Sequence, residues 1–540
     1  MKRMPRQGGL LYEIPCASAN IGSMRLKRFL FTVACLPLLL AAQPDLDAVA
    51  ARAMKEFEVP GMAVLVVKDG RVAVNRGYGV RRLGEPAPVT PRTMFGIASH
   101  TKAFTAAAMA ILVDEGKLKW DDRVIDHLPE FQMSDPYVTR EMRIRDLFTH
   151  RSGLALGAGD LMYFPPTDLS RAEIVRRLRF VPLAYSFRER YAYDNVLYVV
   201  AGEVIARISG MPWEQFLKRR ILDPLGMRST TTSVKALREY SDVAFPHAKD
   251  EGALRPLPLA DSDNWGAAAG VITNLEDFSR WVRVQLGGGE FEGRRLFSQA
   301  QQREMWTPVT MVPSRPGEGV LAQVAPQFST YALGWNVSDY RGRRTVHHSG
   351  GLAGMVTRTV LVPEMKLGVA VFTNQEAGQA FHAVIYTVLD HYMGAAPSDW
   401  VAALAAARRK QVEEAESKVK AAMAKREAGG RPSLGLASYA GRYRDAWYGD
   451  VLIAEEGGRL RIRFTHTPWL EGTLEHFRYD TFIARWDRRW LLADAWLTFS
   501  LNADGTIAEA RMSAISPLTD FSFDFHDLRL RPVAANAKPY

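Results

Sequence analysis

Cysteine is almost absent from this chain, and its two occurrences lie near the N-terminus. Among 540 residues the only cysteines are Cys16 and Cys35. Both would be lost if the first 42 residues were removed during export. The remaining chain would then contain no disulfide, no thiol nucleophile and no thiolate metal ligand.

Long apolar runs are also scarce. The main one, Phe29–Ala42, follows a basic stretch and ends in small residues before Gln43. It is too short to span a bilayer comfortably, and its pattern is typical of a secretory signal. We therefore expect residues 1–42 to be a signal peptide, with Met24 as an alternative start. The expected location is periplasmic or extracellular, without stable membrane insertion after signal removal.

The chain lacks the basic runs with interleaved aromatic residues that indicate nucleic-acid binding. Its formal net charge is +10, and residues 1–42, with six basic residues and one acid, supply half of it. We therefore expect no nucleic-acid partner. His347 and His348 adjoin, but no carboxylate neighbours them in the sequence, so we expect no metal site and no cofactor.

The pattern of strands and helices predicts an α+β fold for residues 46–395. β-rich hairpins lie at both ends, one turning at Lys68–Gly70 and one near Pro363–Lys366. Helical stretches lie between them, at 166–180, 195–210, 212–222 and 275–286. We expect a single antiparallel sheet built from both ends of the domain, with a helical insertion and a cleft between the two parts.

The last third of the chain changes character twice. Residues 396–430 are rich in Ala, Glu, Lys and Arg, which predicts a solvated connecting helix. Residues 435–533 have short aromatic and β-branched runs with close turns, which predicts a small all-β domain. We expect that domain to fold separately and to shape access to the cleft without supplying catalytic groups.

Ser99 and Lys102 stand three residues apart in the segment FGIASHTKAFTA, just before an apolar helix. A helix cap with a lysine that reaches solvent would explain this pair without any chemistry. The polar helix around Ser417 and Lys420 repeats the spacing, so the spacing alone does not decide.

Two later segments also carry polar residues beside apolar elements. Tyr193 and Asn195 precede an apolar helix, as a buried tyrosine and a helix cap would. His348, Gly350 and Gly351 enter the second hairpin, as a glycine-rich turn would.

Taken in order, Ser99-His100-Thr101-Lys102, Tyr193-Asp194-Asn195 and His348-Ser349-Gly350 resemble the motifs of the serine β-lactamase and penicillin-binding superfamily. The most similar branch contains class C β-lactamases, D-aminopeptidases of the peptidase S12 type and related esterases. The resemblance covers residues 46–395 and implies a β-lactamase-like α+β fold. Residues 435–533 resemble the lipocalin-like C-terminal domain of some D-aminopeptidase-like peptidases.

The resemblance implies a role for each motif residue. Ser99 would be the nucleophile, Lys102 its base and Tyr193 a second proton carrier. Asn195 would position either the substrate or the lysine through its amide. His348, Ser349 and Gly350 would contact substrate, and the backbone N–H groups of Ser99 and Gly351 would form the oxyanion hole. To act as a base, Lys102 must be neutral, which requires burial that lowers its pKa toward 7 at a cost of about 4 kcal/mol.

His348 occupies a position where many relatives have lysine. An ordinary histidine pKa of about 6.5 would leave it mostly uncharged near neutrality, so any preference for a substrate carboxylate should weaken as pH rises. We expect a secreted serine hydrolase acting through an acyl-enzyme on peptides, D-amino-acid amides or esters. The alternatives are a β-lactamase or D,D-peptidase, and a peptidoglycan-binding or acyl-trapping protein with negligible turnover. Homo-oligomerisation stays open.

Overall fold

The two predicted hairpins lie side by side in one sheet. In the computed structural model, which describes residues 45–314, 316–427 and 429–534, the strand Gly61–Lys68 pairs antiparallel with Leu367–Thr373. The predicted closure of the sheet by early and late segments is therefore confirmed. In spatial order the eight strands of this first sheet are Arg71–Gly79, Gly61–Lys68, Leu367–Thr373, Met355–Val362, Arg343–Leu352, Asn336–Tyr340, Ser329–Tyr331 and Thr310–Met311.

The first hairpin turns as its sequence predicts. Asp69 and Gly70 both have positive φ, at 50° and 74°, which matches the right-handed twist of the flanking strands. Alternate side chains of Gly61–Lys68 then enter different cores. Met62, Val64 and Val66 pack into one, while the intervening residues pack into the other. The sheet is therefore covered by helices on both faces.

The helices form two groups. The outer group consists of Leu46–Glu56, Gly378–Met393 and Trp400–Met423. The inserted group consists of Thr101–Asp114, Val124–His127, Pro136–Glu141, Arg171–Arg177, Val196–Ser209, Trp213–Leu217, Asp223–Leu225, Gly266–Ala269, Leu275–Leu286 and Gln299–Met305. By length and composition no single described helix could cross a membrane, and only the bent pair Val196–Ser209 with Trp213–Leu225 would pass that test.

Two predicted helices match the structure closely, and two differ. Val196–Ser209 and Leu275–Leu286 lie where expected, and the Asn274 side chain caps the latter by accepting from the Asp277 N–H. The 166–180 helix begins only at Arg171, because Ser170 caps it. The 212–222 helix continues through a π turn into Asp223–Leu225.

The helix Trp400–Met423 is less solvated than its charged composition suggests. Trp400, Val401 and Leu404 are buried against Gly378–Met393, and the Trp400 indole donates to Asp390. These apolar residues fall on one face at helical spacing. The first turns of this helix therefore belong to the outer layer of the first domain, and only its later turns are largely exposed.

The C-terminal region is all-β, as predicted. Its eight antiparallel strands are Gly441–Asp445, Gly449–Glu456, Arg459–Phe464, Glu471–Arg478, Thr481–Trp486, Ala495–Leu501, Ile507–Ala514 and Arg531–Pro532. A bridge between Ala510 and Leu530 brings the last segment beside Ile507–Ala514, so the sheet nearly closes into a barrel. Aromatic side chains such as Trp486 and Phe525 stack in its interior.

A long loop of this second sheet, residues 515–530, reaches the first domain. Asp524 Oδ2 accepts a hydrogen bond of 2.7 Å from the Gly159 N–H. Phe523 packs on Phe164. A side chain at Gly157 would collide with the carbonyl of Phe521, 2.6 Å from its ideal Cβ position. The two domains therefore meet closely along this loop.

Candidate active site

Ser99 lies in a tight turn that leads into a buried helix. The turn Ala98–His100 precedes Thr101–Asp114, and Ala98 adopts a left-handed φ of 47°. A non-glycine residue in that region is strained, which is common where a nucleophile must be presented. Thr101 Oγ1 accepts from the Val271 N–H and fixes the start of the helix. Ser99 thus lies before the helix begins rather than inside it.

Lys102 is fully buried directly beneath Ser99. Its Nζ lies 3.0 Å from Ser99 Oγ, 2.6 Å from Asn195 Oδ1 and 3.2 Å from the Ala268 carbonyl oxygen. Burial lowers the pKa of Lys102 to about 7, while the negative charges of Asp160 and Asp194 oppose the shift. The amine is therefore poised between its charged and neutral forms near neutral pH.

Tyr193 contacts the same hydroxyl from the other side. The Ser99 side chain lies close enough to lower the pKa of its phenol, and Lys102 Nζ lies 4.9 Å from the centre of its ring. Burial outweighs this effect and raises the pKa of Tyr193 well above its ordinary value. The phenol consequently keeps its proton at ordinary pH.

Asn195 positions the lysine. Its Oδ1 accepts from Lys102 Nζ, and its Nδ2 donates to Asp160 Oδ2 at 2.8 Å. Both ends of the amide are therefore engaged by protein groups, although Asn195 also lines the cavity. Sequence left open whether this amide holds substrate or lysine, and the contacts favour the lysine.

Two buried carboxyls near Lys102 were not singled out by sequence. Asp160 and Asp194 are fully buried, and burial raises the pKa of each to about 7. Asp160 accepts from Tyr163 and Asn195, and Asp194 accepts from Ser152. Asp194 stands inside the Tyr193–Asn195 motif, which was a usable signal. Asp160 lies in a loop whose sequence carries no such pattern.

His348 does not behave as an ordinary histidine. It is only 2% exposed. Its Nδ1–H donates to the Ser349 carbonyl at 2.6 Å, and its Nε2 accepts from the Tyr331 hydroxyl at 2.8 Å. Burial, together with His100 and Lys102 nearby, lowers the pKa of His348 well below 6.5. We expected His348 to titrate near pH 6.5, but in the structure its ring stays neutral at ordinary pH.

The strand Arg343–Leu352 approaches the Ser99 turn at Gly350. A Cβ there would lie 2.1 Å from the Ile97 carbonyl oxygen, so only glycine allows this approach. At Gly351 a Cβ would make only an ordinary van der Waals contact, 3.9 Å from Val356 Cγ1. Ser349 and Gly351 are exposed and line the cavity together with Ser99. They lie beyond His347, the last residue of this strand that pairs with Asn336–Tyr340. This is an open edge along which a substrate could lie.

A cavity of about 540 Å³ lies between the two domains. The motif residues that line it are Ser99, Tyr193, Asn195, His348, Ser349 and Gly351. Phe521 of the 515–530 loop stands edge-on to Tyr193, with ring centres 5.8 Å apart. The side chains that the C-terminal domain contributes to the wall are Trp490, Leu491, Leu492, Leu518, Asp520, Phe521, Ser522 and Phe523. Sequence gave no sign of which loop would reach the cleft.

Arg358 also lines the cavity, and no pattern in the sequence identified it. It lies on Met355–Val362, opposite Ser349 in the sheet register. Its Nη2 meets His347 Nδ1 at 3.2 Å, and its buried Nε has no hydrogen-bond partner. Among the described residues no carboxylate forms an ion pair with it, and burial lowers the pKa of its guanidinium below the ordinary value. The cavity therefore contains a cation that neutral His348 does not provide.

The second serine–lysine pair with this spacing lies outside the cavity. Ser417 and Lys420 are both exposed on the helix Trp400–Met423. Burial of a lysine beside a serine, rather than their spacing, thus separates the two pairs.

Comparisons with known proteins agree with this geometry. A family model described as "Beta-lactamase" matches residues 46–392, and a domain of unknown function, DUF3471, matches residues 425–532. Unguisins hydrolase ungD' of Aspergillus campestris is 29% identical over 374 residues, which cover 66% of this chain and 67% of that protein. Unguisins hydrolase ungD of Aspergillus violaceofuscus is 27% identical over 476 residues, 82% of each chain.

A solved structure shows the same fold. The octameric penicillin-binding protein homologue from Pyrococcus abyssi superposes with a TM-score of 0.57 at 22% identity, covering 90% of this chain and 98% of that one. The β-lactamase match spans well over half of the chain and contains all three motifs. This chain therefore belongs to the β-lactamase family, alongside relatives that are hydrolases.

Proposed function

We propose that this chain is a serine hydrolase that works through an acyl-enzyme on Ser99. The observation that carries the proposal is the fully buried Lys102, whose Nζ lies 3.0 Å from Ser99 Oγ. Since burial lowers the pKa of this lysine to about 7, a large share of molecules holds it neutral at physiological pH. A neutral amine at that distance can accept the serine proton.

The cycle then needs only groups of this chain. Ser99 Oγ attacks the substrate carbonyl carbon as its proton passes to Lys102 Nζ. The backbone N–H groups of Ser99 and Gly351 stabilise the oxyanion. Tyr193 gives its proton to the leaving nitrogen or oxygen as that bond breaks, and the Lys102 ammonium reprotonates the phenol. Water then takes the place of the leaving group and attacks the ester carbonyl carbon as its proton passes through Tyr193 to Lys102. Lys102 returns the proton to Ser99 Oγ, which releases the acid and restores Ser99.

We propose peptides, D-amino-acid amides or esters as substrates. The cavity rim carries exposed apolar side chains, Leu156, Leu492, Leu518 and Phe521, which favour substrates with apolar groups. The relatives named as hydrolases of unguisins support hydrolysis as the reaction.

The test is a substrate panel combined with mass spectrometry of the intact chain. Chromogenic esters, D-amino-acid anilides and β-lactams should separate the lead hypothesis from a β-lactamase. Ser99→Ala should abolish both turnover and the covalent adduct, a loss on the order of a million-fold in rate. Ser417→Ala is the matched control and should behave as wild type. An adduct on Ser99 without turnover would instead support an acyl-trapping protein.

A D,D-peptidase or β-lactamase activity is the second candidate, because Arg358 could hold a substrate carboxylate. Arginine stays charged at every ordinary pH, so a preference for the acid over its amide would persist from pH 5 to 9. Arg358→Met should lower kcat/KM about tenfold for the acid and leave the capped substrate unchanged. The exposed Arg71→Met is the control, and equal losses for both substrates would remove this candidate.

We also propose that residues 1–42 are removed on export and that the mature protein forms homo-oligomers. The first rests on the sequence pattern, and the second is supported by the octameric structural neighbour. N-terminal sequencing of the mature chain and light scattering test them. A retained N-terminus or a monomer at all concentrations would contradict the respective proposal.

A further inference from the structure

The loop 515–530 carries a cluster of three side chains that the hydrolytic chemistry does not use. Asp524, His526 and Asp527 each offer one ligand atom, and these atoms all lie within 4.8 Å of one another. Asp524 is fully buried, His526 is mostly exposed and Asp527 is half-buried. The cluster lies at the join between the domains, three residues after Phe521 of the cavity wall.

Two buried oxygens of the cluster lack hydrogen-bond partners among the residues that the structure describes. They are Asp524 Oδ1 and Asp527 Oδ2. Asp524 Oδ1 lies 3.3 Å from His526 Nδ1, an orientation that does not form a hydrogen bond. The other oxygen of Asp524 accepts from the Gly159 N–H at 2.7 Å. A buried carboxylate oxygen without a partner is costly, so each calls for a positively charged or donating group.

No described cation donates a hydrogen bond to either oxygen, although His526 lies close enough to act on Asp527 electrostatically. Arg511 is close enough to act on Asp527 electrostatically, but its Nε donates to Glu509 at 3.0 Å. Asp160 and Asp445 add further negative charge around the cluster. Two carboxylates so close together, with more acids behind them, attract a cation.

We propose that Asp524, His526 and Asp527 bind a divalent first-row transition metal, with Zn²⁺ as its representative, as a structural ion. Two carboxylate oxygens and one imidazole nitrogen suit such an ion, whereas Ca²⁺ and Mg²⁺ favour sites made of oxygen alone. Ligands about 2.1 Å from a metal lie about 3–4 Å apart, which small side-chain rotations would reach here. Water completes the coordination.

The ion would fasten the cavity wall to the first domain. Asp524 contributes one oxygen to the metal while its other oxygen keeps the Gly159 N–H, which orients the carboxylate. Gly159 adjoins Asp160, which contacts Asn195 beside Lys102. Metal binding should therefore hold the 515–530 loop against the segment that supports the lysine. The ion takes no part in bond cleavage, so this inference stands independently of the proposed function.

The test uses the full-length chain, stripped with EDTA and titrated with Zn²⁺ by calorimetry. We expect one Zn²⁺ per chain, a higher Tm with Zn²⁺ and slower proteolysis of the 515–530 loop. His526→Gln and Asp527→Asn should each weaken binding at least tenfold. His476→Gln is the matched control, because that ring already bonds the Tyr479 carbonyl in the same domain. His526 is exposed, so its variant should fold normally.

Several results would overturn the site. Absence of saturable Zn²⁺ binding would show that the two carboxylates share a proton instead. Binding that survives both His526→Gln and Asp527→Asn would place the metal elsewhere. Equal weakening by His476→Gln would indicate only adventitious surface histidine binding. Ser99→Ala should keep full Zn²⁺ affinity, which separates this outcome from that of the hydrolase test.

Discussion

Around Ser99, three buried groups compete for protons near neutral pH. The pKa values of Lys102, Asp160 and Asp194 all lie at about 7. On the proposed mechanism activity requires neutral Lys102, so kcat/KM should rise as pH increases through the lysine pKa. Negative charge on either carboxylate raises that pKa and moves the acidic limb of the pH profile upward.

Asp160→Asn should therefore shift the acidic limb to lower pH. The substitution removes a negative charge near Lys102, while an amide oxygen can still accept from Asn195 Nδ2. The measurement is kcat/KM from pH 5 to 9 with an uncharged ester. Asp126→Asn, on an exposed helix, is the control. An unchanged or upward-shifted limb would show that Asp160 does not set the lysine pKa.

Lys102→Met should abolish activity and stabilise the fold. The unfolded lysine binds a proton up to a pKa of about 10.4, while the folded one loses it at about 7. Below pH 7 the wild type therefore bears the full cost of burying the charge, on the order of several kcal/mol, and this cost disappears toward pH 10. Denaturant unfolding at pH 6 and pH 10 tests this. A variant with no gain in stability at pH 6 would contradict it.

Among the elements, the contact between Arg343–Leu352 and the Ser99 turn is the least tolerant of change. Gly350→Ala would press a methyl group against the Ile97 backbone, at an initial separation of 2.1 Å. We expect a loss of about 1–3 kcal/mol in unfolding free energy and at least a tenfold loss of kcat, since the strand must move away from Ser99. Gly351→Ala would add only an ordinary contact of 3.9 Å with Val356 and should keep its stability. Equal destabilisation by both would contradict this assignment.

The sequence predicted those features that depend on residues close together in the chain, and it missed those that depend on tertiary packing. The Asp69–Gly70 turn and the Asn274 cap follow from residues a few positions apart, and both formed as expected. Arg358 reaches the cavity and Asp160 reaches Asn195 behind it through tertiary packing, so no local pattern revealed them. The neutrality of His348 likewise follows from burial, which its glycine-rich neighbours do not indicate.

For the whole molecule, the main feature is a cavity whose walls come from two folds. Phe521→Ala should lower kcat/KM several-fold for substrates with bulky aromatic groups, because it removes the ring facing Tyr193. The rate of labelling of Ser99 by a small fluorophosphonate should not change. Tyr479→Ala, an exposed aromatic on the same domain, is the control. Loss of labelling in the Phe521 variant would mean that the loop supports the chemistry itself.

The pairing of Gly61–Lys68 with Leu367–Thr373 also fixes when the molecule can be completed during synthesis. Gly61–Lys68 can pair with Arg71–Gly79 at once, but about three hundred residues must leave the ribosome before Leu367–Thr373 reaches its other edge, and a further stretch before residues 518–523 arrive. A chain that ends after the first sheet and before residue 518 would thus carry Ser99, Lys102 and Tyr193 without the part of the cavity wall that the C-terminal domain supplies. On the proposed mechanism we expect such fragments to react with less discrimination, so selectivity would be the last property that the nascent polypeptide acquires.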